Sequence, residues 1–384
     1  GWMVGGFAAV SAGIVLSNIT DTDTLKEGDN RQFLGDWLVL GGVVLLAGGL
    51  PVWITGRQII VGQWSDRFSL GPMLGVGMIL VALISLFGYQ RLQKSILLGI
   101  MLALAISTQI LTVNRYRLNW EIQRDYYWQF YWRVPDMKPG TALFGTKMPF
   151  GLIADYSVSY AMNAIYAPDM EASHIPYWFF SSMRAYGNDI PDFIVGLPVN
   201  YSIRNLKFES STSNGIVPNY KAGQACVRIL RPEDEFSPLL TSAEIKLAQI
   251  SNPDQILKES QDPRITPASI FAPEPEHNWC YFYEKADLAR QFGEWSTIVD
   301  LGQEAFDRKL TPAVGMEYEP FIEGYARNGN WEEAYQLTKK ADELTGNMEK
   351  TLCSDWQRLQ PVAISSGKTG IEIFDKTRSE LKCQ

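Results

Sequence analysis

The chain has 384 residues, 46% of them hydrophobic and 12% aromatic, with 34 Lys plus Arg against 42 Asp plus Glu and a formal net charge of -8. An acidic chain without a Lys/Arg stripe lacks the electrostatic footprint of a nucleic-acid binder, and this apolar and aromatic content excludes intrinsic disorder. Residues 1–113 carry 6 basic and 6 acidic residues, so the whole net charge belongs to the 28 basic and 36 acidic residues of 114–384.

The first part contains four charge-poor apolar windows, about 1–20, 37–56, 70–89 and 95–113. A bilayer core about 30 Å thick needs roughly 20 apolar residues in a helix, because lipid offers no partner to an open backbone hydrogen bond. All four windows meet that length, and ILLGIMLALAISTQIL (96–111) is among the cleanest. WLVLGGVVLLAGGLPVW (37–53) is Gly-rich, with Trp37 and Trp53 at its ends, where an aromatic belt places them. The expectation is about four transmembrane helices in contact with a lipid bilayer. The first window lacks the basic start of a cleavable signal sequence, and the chain opens on Gly1 inside an apolar segment, so we read it as a piece of a larger polytopic protein. Lys and Arg divide evenly over the short loops, Lys26, Arg31, Arg91 and Lys94 on one face against Arg57, Arg67, Arg115 and Arg117 on the other, and so set no orientation.

Residues 114–135 are dense in aromatic side chains: Trp120, Tyr127, Trp128, Tyr131 and Trp132 fall at helical spacing before Pro135. Such a helix either lies at the membrane interface, the assignment used here, or packs on the domain that follows. Residues 136–232 read as a small α/β domain. Its strand candidates are TALFGT (141–146), FIVGLPV (193–199), the alternating YSIRNLKFES (201–210) and ACVRIL (225–230), and its helix is SVSYAMNAIYA (157–167). Residues 233–276 are rich in Pro, Asp, Glu and Ser and read as an irregular connector with one helix near 242–250.

The C-terminal region, 277–384, holds the most specific spacing. Two helix pairs each turn at Gly-x-Trp (Gly293 and Trp295; Gly329 and Trp331), with small residues at matched places (Ala305 and Ala341). This resembles the tetratricopeptide repeat, in which a turn glycine separates paired helices and small residues mark close crossings. Ile322 and Thr338 depart from that pattern, whereas Ala286 and Ala334 fit it. The resemblance implies an array of helical hairpins able to recruit a protein partner.

Candidate chemistry is sparse. Cys226, Cys280, Cys353 and Cys383 form no CxxC pair; buried thiols are the plainer expectation, with a Cys280–Cys353 disulfide as the alternative in an extracytoplasmic domain. Glu171 and His174 are three apart, but without a third ligand they suggest a local hydrogen bond, and Glu274, Glu276 and His277 suggest a helix cap. Asp21 and Asp23 are the candidates for a catalytic or metal site: two carboxylates one residue apart in a loop can hold a divalent cation that bridges diphosphate oxygens. Four straight spans would put that loop and the soluble part on opposite faces.

The order of parts adds one resemblance. Spans are followed by the aromatic pattern W-x-x-Q-x-x-x-x-W-Q-x-x-W-R-x-P (Trp120 to Pro135), K-P-G-T (138–141), an α/β domain and helical repeats. This looks like the C-terminal portion of bacterial GT-C-type glycosyltransferases, which use polyprenyl-phosphate sugars and carry an extracytoplasmic soluble domain. The resemblance implies a bacterial cell-membrane protein of cell-envelope glycan assembly. The catalytic carboxylate of that class lies in the first outer loop, which is expected to fall upstream of this chain, so no catalytic residue is carried over to it. The competing expectation is a non-enzymatic anchor whose repeats recruit a protein.

Overall fold

A computed structural model describes residues 27–60, 65–87, 91–151, 154–170, 173–187, 191–260 and 262–383. The fold is mostly helical, with membrane-length helices first, a small sheet-containing region in the middle and a helical array at the C-terminus. It divides into two compact units between Asn119 and Trp120.

In the first unit, α1 (Glu27–Ile54), α2 (Leu70–Phe87) and the opening turns of α3 (Arg91–Arg133) provide three helices long and apolar enough to cross a membrane, with mean hydropathies of 2.1, 2.0 and 2.3 over an 18-residue stretch of each. The sequence predicts about four; the window at 1–20 lies outside the described residues. Helices α1 and α2 meet backbone to backbone, since a Cβ on Gly75 would come within 2.3 Å of Leu45 N and one on Gly48 within 2.4 Å of Gly71 O. Small residues at such a crossing allow packing without a hydrophobic drive between the helices, as lipid requires. Val43, Leu46 and Leu74 point outward and are exposed, which suits a hydrocarbon surrounding and not water.

The expected boundary between a span ending near 113 and a separate interfacial helix at 114–135 is absent, because α3 is continuous through Arg133. Tyr126, Tyr127, Phe130 and Trp132 are fully buried inside the second unit. Tyr127 stacks on Phe271 at 4.1 Å, and Trp132 Nε1 donates to Glu274 Oε1 at 2.8 Å. The helix therefore ends as a core element, and its aromatic spacing reflects packing against protein.

Around it, β1 (Asp136–Met137) pairs antiparallel with residues 256–257, and β2 (Ala142–Gly145) pairs in parallel with β3 (Trp178–Ser181) and with β6 (Gly215–Ile216), in the order β3-β2-β6. The connection from β2 to β3 carries α4 (Asp155–Tyr166). Alternation along β2 separates two cores: Leu143 joins Met162, Ile165 and Phe130, whereas Ala142 and Phe144 join Trp178, Phe208 and Leu247. The outer edge of β3 is closed by side chains one helical turn apart on α4. Asn163 Oδ1 accepts from Tyr177 N at 3.2 Å and Ser159 Oγ accepts from Phe179 N at 2.9 Å.

Two sequence expectations change here. The run FIVGLPV is not a buried strand: Ile194 is 64% exposed and Val195 59%, and β4 (Pro198–Ile203) begins only at its end. Gly196 adopts φ +93° and Thr212 pins the loop, its hydroxyl donating to Ile194 O at 2.6 Å and accepting from Leu197 N at 3.0 Å. Residues 201–210 do not form one strand, because β4 folds back on β5 (Leu206–Ser211) through Arg204 at φ 56°. The 233–276 segment is largely irregular, yet Leu247, Ile250, Ile256 and Phe271 are buried, so it packs into the unit as well as connecting parts of it.

The helical array comprises α8 (Trp279–Gln291), α9 (Trp295–Asp307), α10 (Glu319–Arg327), α11 (Trp331–Leu344), α12 (Glu349–Ser365) and α13 (Lys368–Glu380), after the short helices α5 (Ser182–Tyr186), α6 (Ser242–Ala248) and α7 (Ala268–Phe271). Gly293, Gly329 and Gly367 sit at the three hairpin turns with positive φ, which only glycine adopts freely. Ala286, Ala305, Ala334 and Ala341 are all fully buried, and a Cβ on Gly324 would come within 2.4 Å of Ile298. The third hairpin, α12 with α13, lacks the Gly-x-Trp signature and is visible only in the structure.

The cysteines correct another expectation. They are neither buried thiols nor a Cys280–Cys353 pair. Cys226 is bonded to Cys280, tying β8 (Ala225–Ile229) to α8, and Cys353 to Cys383, closing the last hairpin. The Cα separations are 5.4 and 5.5 Å, within the ordinary disulfide range.

Candidate functional site

The carboxyl ends of β2, β3 and β6 lie on one edge of the sheet, at Gly145, Ser181 and Ile216. Since β2 is central and its neighbours lie on opposite sides, this edge is a topological switch point, where open α/β sheets form ligand crevices. Two cavities open there.

The first, of about 400 Å³, is lined by Thr146 and Lys147 after β2, Asn219 and Lys221 of β7 (Pro218–Lys221), and Glu244 of α6. Its polar groups largely satisfy one another. Asn219 Nδ2 donates to Glu244 Oε1 at 2.7 Å, Thr241 Oγ1 donates to Glu244 Oε2 at 2.9 Å, and Lys221 Nζ donates to Leu239 O at 2.6 Å. This constellation caps α6.

The second cavity, of about 500 Å³, combines aromatic walls with unspecialised polar groups. Phe144 and Phe180 stack at 5.4 Å, Trp178 lies 4.4 Å from Tyr201, and Phe193 lies 6.1 Å from Tyr186. Trp178 is a buried floor, whereas Tyr186 is 51% exposed and offers its ring to the opening. Asp155, Ser181, Ser182 and Asn200 bring carboxylate, hydroxyl and amide groups to the same space. An aromatic surface with hydroxyl-matching rims fits a ligand with one apolar face and many hydroxyls.

Deep in the same unit lies a network of ion pairs centred on Asp287. Arg133 Nε approaches Asp287 Oδ2 at 2.6 Å and Arg231 Nη2 approaches Oδ1 at 3.1 Å, while Arg228 Nη2 contacts Asp234 and Glu319, each at 2.7 Å. Burial alone would raise the Asp287 carboxyl, but Arg231, Arg133 and Arg290 hold it well below the usual carboxylate range. Burial drives Glu319 the other way, up to about 8 despite Arg228. Glu284 is fully buried, neither of its oxygens has a hydrogen-bond partner, and burial pushes it well above the usual range. These two carboxyls hold protons in the native state that the unfolded chain releases above about pH 4.5, so both lower stability as pH rises above that value, Glu319 until about 8. Glu284→Gln is expected to raise stability above the usual carboxylate range and to flatten its fall with rising pH, measured by urea unfolding of the full chain. An unchanged pH slope in the variant would refute this assignment.

The residues singled out by sequence do not converge on a site. Asp21, Asp23 and Glu171 lie outside the described residues, so the structure adds nothing to the proposed catalytic or metal pair. His174 is exposed, with Nδ1 3.2 Å from Ser173 Oγ, in a bridge to Lys207. His277 Nε2 lies 3.1 Å from Glu274 Oε1 and its ring stacks on Tyr281, a local arrangement just before α8. Among the described residues no group of three His, Cys, Asp or Glu is placed to hold a metal ion. The aromatic cleft was not singled out in the sequence, although the alternation of Trp178 and Phe180 along one strand face was a signal for part of it. No protein-family model, curated protein or solved structure matches the chain.

Proposed function

We propose that the chain is the C-terminal part of a membrane glycosyltransferase-like protein of cell-envelope glycan assembly, and that its soluble unit faces the extracytoplasmic side and holds a glycan in the aromatic cleft. The observation that carries this reading is the cleft itself, with Tyr186, Phe193, Phe180 and Tyr201 around Asp155, Ser182 and Asn200 at the switch-point edge of a parallel sheet. Aromatic rings would cover the apolar face of a sugar, and the rim groups would bond its hydroxyls. The disulfides support the side assignment, because such bonds persist in oxidising compartments and are rare in the cytosol. The three membrane-length helices support attachment to the bilayer, where a polyprenyl-phosphate sugar would be found. No transfer chemistry is assigned to the residues of the cleft.

The test is titration of the full chain in lipid nanodiscs with neutral hexasaccharides, followed by tryptophan fluorescence. Binding is expected, and Tyr186→Ala should weaken it about tenfold, a loss of about 1.4 kcal/mol. Failure of every neutral and acidic oligosaccharide to bind at millimolar concentration would overturn the reading.

A further inference from the structure

A third cavity, of about 580 Å³, adjoins the aromatic cleft. Val195 and Ser213 line it, and their chain neighbours Leu197 and Thr212 line the aromatic cleft, so the loop at 193–199 and the turn at 212–214 form a shared partition. The two walls differ in chemistry. Where the first cleft has rings, this one has three guanidinium groups: Arg231 just after β8, Arg290 of α8 and Arg358 of α12.

Each guanidinium is held in place by a carboxylate. Arg231 engages Asp287 through Nη2, Arg290 engages Glu323 through Nε at 3.1 Å, and Arg358 engages Asp355. A guanidinium carries five N–H donors, so the single carboxylate partner of Arg231 and of Arg358 orients it and leaves donors for a ligand, whereas Arg290 also lies 3.7 Å from Asp287 and 3.9 Å from Glu319 and helps to build the wall. Arg358 is the most open, at 34% side-chain exposure. The acidic residues of the lining are Glu323, already shared by Arg290 and Arg327, and the exposed Glu233 and Asp254. Ser251 also lines the cavity, and its buried hydroxyl has no hydrogen-bond partner in the protein. Three guanidiniums face three lining carboxylates and leave no excess positive charge, so the cavity, with its unpartnered buried hydroxyl, suits a monoanion held by directed N–H and O–H donors and not a dianion. A carboxylate also matches the planar fork.

We infer that this cavity is a subsite for a carboxylate-bearing sugar, a uronic acid residue of the same glycan whose neutral residue occupies the aromatic cleft. The inference rests on the glycan reading above and sharpens it: the ligand is an acidic polysaccharide segment long enough to cross the Val195–Leu197 partition. Arg358 and Ser251 are then specificity-determining contacts, and the aromatic cleft supplies binding common to neutral and acidic chains.

The experiment compares a uronate-containing hexasaccharide with its carboxyl-reduced counterpart, which keeps every other hydroxyl, on the full chain in zwitterionic nanodiscs. The acidic form is expected to bind about tenfold more tightly at low salt. Arg358→Gln should reduce that preference several-fold while lowering the affinity for the reduced form much less, and Arg358→Lys should restore only part of it, since an ammonium lacks the fork. Ser251→Ala, which disturbs no ion pair, should reduce the preference about threefold and guards against misfolding of the arginine variants. Equal binding of acidic and reduced forms would overturn the uronate subsite and leave the glycan reading standing. Absence of binding by both would overturn the two together.

Discussion

Replacing Cys226 and Cys280 by serine is expected to lower the stability of the soluble unit by about 4 kcal/mol, the loop-closure value for the 54 residues between them. The bond joins β8 to the first helix of the array, and Cys226 shares a core with Trp279 and Phe282. Its loss therefore loosens a junction as well as freeing the unfolded chain. The Cys353–Cys383 bond closes a shorter loop of 30 residues at the chain end, and its removal should cost somewhat less, about 3.6 kcal/mol by the same relation. Urea midpoints followed by tryptophan fluorescence would measure both, and the first pair should show the larger shift. In protein purified without reductant, all four cysteines should resist alkylation even when denatured. A full complement of reactive thiols in that assay would contradict both the pairing and the extracytoplasmic placement.

Asp287→Asn is expected to cost about 3–5 kcal/mol, among the largest effects of any single substitution here. Asp287 faces Arg133, whose side chain is wholly buried, and Arg231, whose desolvation is opposed chiefly by this carboxylate. The amide keeps the shape and removes the charge, leaving two guanidiniums uncompensated out of water. Adding Arg133→Met to Asp287→Asn should recover part of the loss, because the fully buried unpaired cation is then gone. A double variant no more stable than the single one would refute that pairing. The pH dependence has a definite sign. The native carboxyl lies well below its unfolded value, so its contribution is complete above the usual carboxylate range and is lost as pH falls below about 4. Glu319 and Glu284 act in the opposite sense as pH rises above about 4.5, so the stability maximum of the soluble unit should lie in mild acid.

Several features were legible before the structure because they depend on near neighbours in the chain. The apolar runs at 37–54, 70–87 and 95–113 fall within helices, since composition alone tells a helix in lipid from one in water. The strand at 142–145, the helix over 155–166 and the turns at Gly293 and Gly329 follow local periodicity and the steric freedom of glycine. The misreadings share a different cause. FIVGLPV has the composition of a buried strand, yet no element supplies a cover for it, and the hydroxyl that pins it comes from Thr212. The helix at 114–135 has aromatic spacing suited equally to headgroups or to a core, and Phe271, Glu274 and Phe150, distant in sequence, decide for the core.

The candidate sites show the same division. The sequence by itself determined that apolar helices precede an acidic, aromatic-rich part, that this second part contains an α/β segment and paired helices, and that it carries no dense metal-ligand motif. Each of those follows from composition or from spacings of a few residues. Only the tertiary structure decided which cysteines pair, that a third hairpin completes the array, that Trp178, Tyr186, Phe193 and Tyr201 surround one cavity, and that Arg231, Arg290 and Arg358 line the next. Arg231 and Arg358 are separated by more than one hundred residues of chain and meet because Asp287, Glu323 and Asp355 fix each guanidinium beside a common space. Contacts of that range depend on how strands and helices pack in three dimensions, for which a linear pattern has no period.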